Sequence, residues 1–185
     1  RRQRQMCIRD RLDPVLQDTS PAGRFAQMVL VKILSYAASL IPEISTSPQD
    51  IDDAMKLGFN WQRGPFELID AVGLDRLCQL ADELGLALPR QLTARCRPYY
   101  AVHDSQLNID THDKGYQPVA LPGGVMRFSL SRRTAEKIYS NDAASLYRLE
   151  GNLRLVEFHS KANALNDQSM QIVAQAAADH GQGIV

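Results

Sequence analysis

Ile44-Ser-Thr-Ser-Pro-Gln-Asp-Ile-Asp-Asp-Ala-Met-Lys-Leu-Gly-Phe-Asn-Trp-Gln-Arg-Gly-Pro-Phe-Glu-Leu-Ile-Asp-Ala-Val-Gly73 carries the densest punctuation in the chain. Ser47-Pro48 reads as a helix start, because a serine oxygen can take an orphan backbone N–H and proline's fixed φ suits the first helical position. Asp50, Asp52 and Asp53 fall in the first turns, where the helix dipole favours negative charge. Leu57-Gly58 reads as the stop, with glycine free to enter the left-handed region. Gly64-Pro65 opens a second helix that buries Phe66, Leu68, Ile69 and Val72, and Gly73 closes it. Phe59, Asn60 and Trp61 form a short connection between the two, and its large rings are read as filling a helix–helix junction rather than holding a ligand.

Upstream, Ser20-Pro21 repeats the cap-plus-proline signal. Phe25, Met28, Val29, Ile33, Tyr36, Ala37 and Leu40 then recur at helical spacing as the expected inward face, and Pro42 ends the run by removing a donor. Downstream, Leu74, Leu77, Cys78, Leu80, Ala81 and Leu84 define another helix ended by Gly85, with Cys78 read as a packing residue. Pro89 opens a shorter helix around Leu92. From Arg97 to about Ser140, the breaks at Pro98, Gly115, Pro118, Pro122 and Gly123-Gly124 read as a linker with room for a small hairpin. His103-Asp104 and His112-Asp113 match no local metal-ligand spacing and are read as exposed loop residues, so no metal is expected. Arg127, Arg132, Arg133 and Lys137 are read as a solvated helix face, with contact to a coenzyme A phosphate as the second option. Strand signals follow: Leu146–Leu149 and Leu153–Phe158 flank the turn pair Gly151-Asn152, predicting a hairpin. Asn166 then caps a helix carrying Met170, Ile172, Val173 and Ala176.

The residues Ile51-Asp52-x-Ala54-Met55-x-x-Gly58-Phe59 and Gly64-Pro65-Phe66-Glu67-Leu68-x-Asp70-x-x-Gly73, after Ile41-Pro42-Glu43-Ile44, resemble the carboxy-terminal helical domain of the 3-hydroxyacyl-CoA dehydrogenases. They are most similar to its second copy in fused bacterial β-oxidation proteins. The resemblance covers roughly Ser20 to Leu92, and it makes Gly58, Trp61, Gly64, Pro65, Phe66, Asp70 and Gly73 structural motif residues. In the first copy the equivalent of the helix after Ser20 carries an asparagine that faces the substrate. Arg24-Phe25-Ala26-Gln27-Met28 has none, which supports a supporting rather than catalytic role. The strand, Lys161-Ala162-Asn163-Ala164-Leu165, helix order near the end is similar to the opening of the crotonase (enoyl-CoA hydratase) fold. That resemblance implies contact of Lys161, Ala162, Ala164 and Leu165 with the adenine end of coenzyme A.

Arg1 to Arg11 resembles a transposase-type sequencing adapter read as codons and is set aside as a non-native leader. It holds five arginines and one aspartate, so the formal net charge of zero becomes 16 basic against 20 acidic residues, or −4, beyond it. A mildly acidic body argues against nucleic acid as partner. The longest apolar region, Phe25 to Ile41, is interrupted by Gln27 and Lys32 and is too short and polar to span a bilayer. With Cys7 in the leader, Cys78 and Cys96 remain and form no CxxC pair, which fits a reduced cytoplasmic location.

The expected organisation is mainly α: leader 1–11, helical dehydrogenase-like domain 12–96, linker 97–141, and a truncated α/β crotonase-type hairpin plus helix over 142–185. No GxGxxG phosphate turn occurs, and the general base of the resembled dehydrogenases lies upstream of this segment. The resemblance therefore implies a fragment of a bifunctional enzyme that uses NAD and coenzyme A thioesters. The chain itself carries no catalytic residue and is expected to bind neither, meeting acyl-CoA only through the full-length protein, with a homodimer allowed. Two other classes compete: a non-catalytic helical dimerisation module, and the helical domain of another two-domain hydroxy-acid dehydrogenase. Because the last segment makes only the opening of a larger fold, amides from about Asp142 onward are expected to exchange with solvent faster than those of the helical block. Hydrogen exchange on the whole chain checks this, and equal protection in both regions would contradict it.

Overall fold

The computed structural model describes residues 12–104, 106–160, 164–179 and 181–185. Residues 1–11, read as a leader, and Lys161 and Ala162 of the turn expected to meet coenzyme A, lie outside the described residues. Two compact units are present, Leu12–Leu121 and Pro122–Val185.

The first unit begins with α1 (Asp13–Gln17) and the long α2 (Pro21–Ser39). The Ser20 hydroxyl accepts from the Gly23 N–H at 3.1 Å, as its cap signal predicts. The buried face of α2 differs in part from the expected one: Val31, Leu34 and Ala38 point inward beside the expected Ala37, while Phe25 and Tyr36 are 68% and 67% exposed. Both stripes are apolar and both repeat at helical spacing, so periodicity alone does not say which turns inward. Small residues decide it, since Gly23, Ala37 and Ala38 let neighbouring backbones approach. A Cβ at Gly23 would overlap Asp18.

Then come α3 (Pro48–Phe59), α4 (Pro65–Val72), α5 (Leu74–Glu83) and α6 (Arg90–Thr93). Three readings of the opening stretch need correction. Helix α3 runs through Gly58, and Asn60 at φ 56° is the left-handed residue that ends it. Ser47 holds the N-cap position without a side-chain bond; Ser45 accepts from the Ser47 N–H at 3.0 Å instead and donates to Asp50 at 2.6 Å. Nor does Phe59 fill a junction, being 71% exposed, while Trp61 is half-buried.

The segment expected to be a linker folds into β1 (Tyr100–His103), β2 (Gln106–Thr111) and β3 (Gly115–Pro118), an antiparallel meander in sequence order. Tyr99, Tyr100 and Ile109 belong to the same buried cluster as Phe66, Ile69, Leu77, Leu80 and Leu92. This sheet therefore completes the helical core instead of leaving it, and the unit ends near Leu121 rather than at residue 96.

The second unit holds α7 (Phe128–Ser131), β4 (Glu136–Ser140), β5 (Ala144–Arg148), β6 (Leu153–Phe158), α8 (Asp167–Ala178) and β7 (Gly183–Ile184). The predicted hairpin is the β5–β6 pair, with Leu146 opposite Val156. Strand β4 extends it where a solvated helix face was expected, so Lys137 lies on a strand with its ammonium 5.5 Å from the Tyr147 ring centroid. Asn166 caps α8 as expected, accepting from the Ser169 N–H at 2.8 Å. Ile172 and Ala176 of α8 pack on Ala144 and Leu146, whereas Met170 is exposed. After α8 the chain adds β7 parallel to β6, which makes β6–α8–β7 a crossover unit of the α/β kind. Among the described residues, no helix is long and apolar enough to cross a membrane.

The orientation of α2 is checked by truncation: Leu34→Ala is expected to cost about 2–5 kcal/mol in urea unfolding. Phe25→Ala is expected to stay within about 0.5 kcal/mol of the parent chain.

Candidate functional site

Helix α4 begins at Gly64, which has no side chain to cap it. Its amides are nevertheless fully used. Pro65 brings none, the Gly64 N–H donates to the Glu67 carboxylate at 2.9 Å, and the Phe66 and Glu67 N–H groups donate to Asp52 of α3 at 2.8 and 3.2 Å. Asp52 thus acts as an N-cap delivered from another helix. Glycine is required at position 64 because a Cβ there would overlap the Asp52 carboxyl. Tyr100 of β1 donates its hydroxyl to the same carboxyl at 2.8 Å, so one side chain joins α3, α4 and the sheet. Lys56 reaches Glu67 at 3.3 Å and Asp53 at 3.5 Å, balancing charge around the pair.

Asp70, on α4, accepts from the Tyr99 and Tyr100 N–H groups at 2.8 and 2.7 Å and fixes where β1 starts. The Tyr99 ring meets Phe66 edge-on at 4.6 Å between centroids, and the Arg95 guanidinium lies 3.5 Å from its centroid. Burial pushes the Tyr99 hydroxyl up to about 12. Asp110 of β2 binds Arg95 at 2.7 Å and Arg97 through two bonds of 2.9 and 2.7 Å. Beside this network lies a cleft of about 520 Å³, walled by Ile41, Pro48 and Ala94 and bordered by Arg90, Arg95 and Arg97. Asp52 is fully buried, and Asp70 and Asp110 are bound to backbone N–H groups or arginines. This arrangement orients the helices and the meander of the first unit.

The profile of the 3-hydroxyacyl-CoA dehydrogenase C-terminal domain matches residues 23–117, from within α2 into β3, a range that holds all three aspartates. The chain belongs to this family. A provisionally named 3-hydroxyacyl-CoA dehydrogenase of Bacillus subtilis is 31% identical over 156 residues, covering 82% of this chain and 20% of the relative. A provisionally named fatty acid oxidation complex trifunctional enzyme of Rickettsia prowazekii is 26% identical over 170 residues, 90% of this chain and 21% of the relative. The human mitochondrial hydroxyacyl-coenzyme A dehydrogenase is 47% identical over 53 residues, 29% of this chain and 17% of the relative. The chain spans about a fifth of the length of the relatives it matches. No solved structure matches it significantly.

Within this dehydrogenase C-terminal domain, the motif residues separate by role. Gly64, Pro65 and Phe66 build the capped helix start, Asp70 holds β1, and Gly73 at φ 83° turns α4 into α5. A Cβ at Gly58 would meet open space, and the Trp61 N–H donates to the Met55 carbonyl at 3.3 Å. In the second unit Ala164 and Leu165 are exposed ahead of α8, with the Ala164 carbonyl accepting from Ser160 at 2.6 Å. His103 stacks edge-on against Tyr116, and no group of three or more metal-ligating side chains occurs among the described residues. Sequence reasoning missed Asp52 as a cap, and also missed Arg95, Arg97 and Asp110. A signal for the first existed: a glycine-proline helix start needs a donated cap, and Asp52 is the buried-side carboxylate one helix earlier.

Burial is the largest influence on the Asp52 carboxyl and pushes it up to about 7, against the Phe66 N–H and the Tyr100 hydroxyl that pull it down. A folded value above the ordinary 3.8 means that between those values the folded state holds a proton the unfolded state has released. Stability then falls as pH rises through that window, by up to about 1.4 kcal/mol per pH unit. Urea unfolding is expected to show the parent chain losing stability relative to Asp52→Asn as pH rises from about 4 to about 7. A parent chain that gains on Asp52→Asn as pH rises would show that the ionised carboxylate is the form the donors hold.

Proposed function

We propose that this chain is the supporting helical module of a bifunctional fatty acid β-oxidation enzyme, joined to the opening of an enoyl-CoA hydratase domain. The observation that carries this reading is the reach of the Rickettsia match. It extends over 90% of the chain, well beyond residues 23–117, into a relative named for several activities of fatty acid oxidation. The β6–α8–β7 crossover supports the α/β part, since a hairpin leading into a helix and a parallel strand is how the resembled fold begins. In this proposal the parent oxidises 3-hydroxyacyl-CoA with NAD and hydrates enoyl-CoA in the cytoplasm, and its catalytic groups lie outside this segment. The residues present do not fit a dinucleotide: the sequence has no GxGxxG, and the Gly64-Pro65 helix start already holds the Asp52 carboxyl. Its role is to shape and support the substrate pocket. Partners are the acyl-CoA thioester, reached through the parent and through the turn at Ala164 and Leu165, and a second copy of the chain; neither nucleic acid nor membrane is among them.

The chain alone is expected to reduce no NAD with a 3-hydroxyacyl-CoA and to hydrate no enoyl-CoA. Thioester turnover by this polypeptide would overturn the supporting role. A parent coding sequence lacking an upstream glycine-rich phosphate turn would favour a dimerisation module or a different dehydrogenase.

A further inference from the structure

We propose that the cleft bordered by Arg90, Arg95 and Arg97 binds a phosphorylated organic anion of nucleotide size. The first ground is charge. Three guanidiniums face one carboxylate, and Asp110 has both oxygens engaged by Arg95 and Arg97 at 2.7 to 2.9 Å while being 5% exposed. The Arg90 guanidinium has no hydrogen-bond or ion-pair partner among the described residues and stands exposed. The surplus positive charge sits in a concavity with apolar walls, where the field is focused rather than spread.

The second ground is pre-organisation. Arg95 is stacked on Tyr99 at 3.5 Å and also donates to the Pro98 carbonyl at 3.1 Å; Arg97 is clamped by Asp110 and lies 5.0 Å from the Tyr116 ring centroid. Guanidiniums held this way lose little rotamer freedom on meeting a ligand, and their planar forks match phosphate oxygens. The third ground is size. A single phosphate fills a small part of about 520 Å³, a volume inside the usual range for small-molecule sites, roughly 300–1,000 Å³. Ile41, Pro48 and Ala94 supply apolar wall for the organic portion. The adenosine bisphosphate head of coenzyme A is one bearer of this chemistry. The proposal stands on the cleft, so a failure to bind leaves the β-oxidation reading in place, and an absence of turnover leaves the cleft in place.

The test titrates the full chain with adenosine 3′,5′-bisphosphate, with adenosine and with inorganic phosphate, following amide resonances by NMR. The leader's arginines also attract anions, so binding is read residue by residue. The bisphosphate is expected to shift Gln91 to Arg97 and Thr111 to His112 and to bind about tenfold or more tightly than either smaller probe. Arg90→Glu is expected to weaken it by about tenfold or more, the loss for one charge-assisted hydrogen bond, with an unchanged unfolding midpoint. Arg97→Lys, which keeps the charge and loses the fork, should weaken it as well. Shifts confined to residues outside the cleft, or an Arg90→Glu chain that binds as the parent does, would overturn the proposal. Inorganic phosphate binding as tightly as the bisphosphate would overturn its nucleotide part and leave a free-phosphate site.

Discussion

A carboxylate borrowed from one helix stands where the next helix has nothing with which to cap itself. Asp52 meets the Phe66 and Glu67 N–H groups and the Tyr100 hydroxyl at once, in a place where water does not reach. Three buried donors without it would each face the cost of desolvation, on the order of 1–3 kcal/mol apiece. The neighbouring choices follow from that. Position 64 has to be glycine so that the carboxyl can approach, position 65 can be proline because its amide is not wanted, and Glu67 is left to bind the Gly64 N–H.

The same device is used twice more with different donors. Asp70 gathers two amides at the start of β1, and Asp110 gathers two guanidiniums between β2 and the segment after α6. In each case a side chain from one element satisfies groups of another, so the helices and the meander are tied by polar contacts as well as by the apolar cluster. Phe66, fully buried among them, contributes about 1.5–3 kcal/mol by leaving water. The polar contacts add position, since burial alone is non-directional.

Much of this architecture was legible from local chemistry. Ser20 and Asn166 announce their helices because a cap is a bond between residues three apart, and the β5–β6 hairpin is announced by alternation around Gly151-Asn152. What escaped were features set by distant partners. The Asp52 bonds join residues 14 and 15 apart, so Gly64-Pro65 announces a helix start that needs a donated cap while nothing local says which residue donates it. The inward side of α2 was misread because Phe25, Val29 and Ile33 are as apolar as Val31 and Leu34. Strands β1 to β3 hid among glycine, proline and polar residues, where short strands have little alternation to display. Of the site, Asp70 and Gly64 were visible through the motif that names the family, while Arg95, Arg97 and Asp110 lay in what looked like a connector.

That connector has a practical meaning for where this domain can be cut. A polypeptide ended at Cys96 would keep every helix of the first unit yet discard Tyr99, Tyr100 and Ile109, and with them the lid over Phe66 and the hydroxyl that Asp52 holds. Such a piece would present a raw apolar wound and stick to its neighbours, whereas one carried on to Leu121 would close over itself.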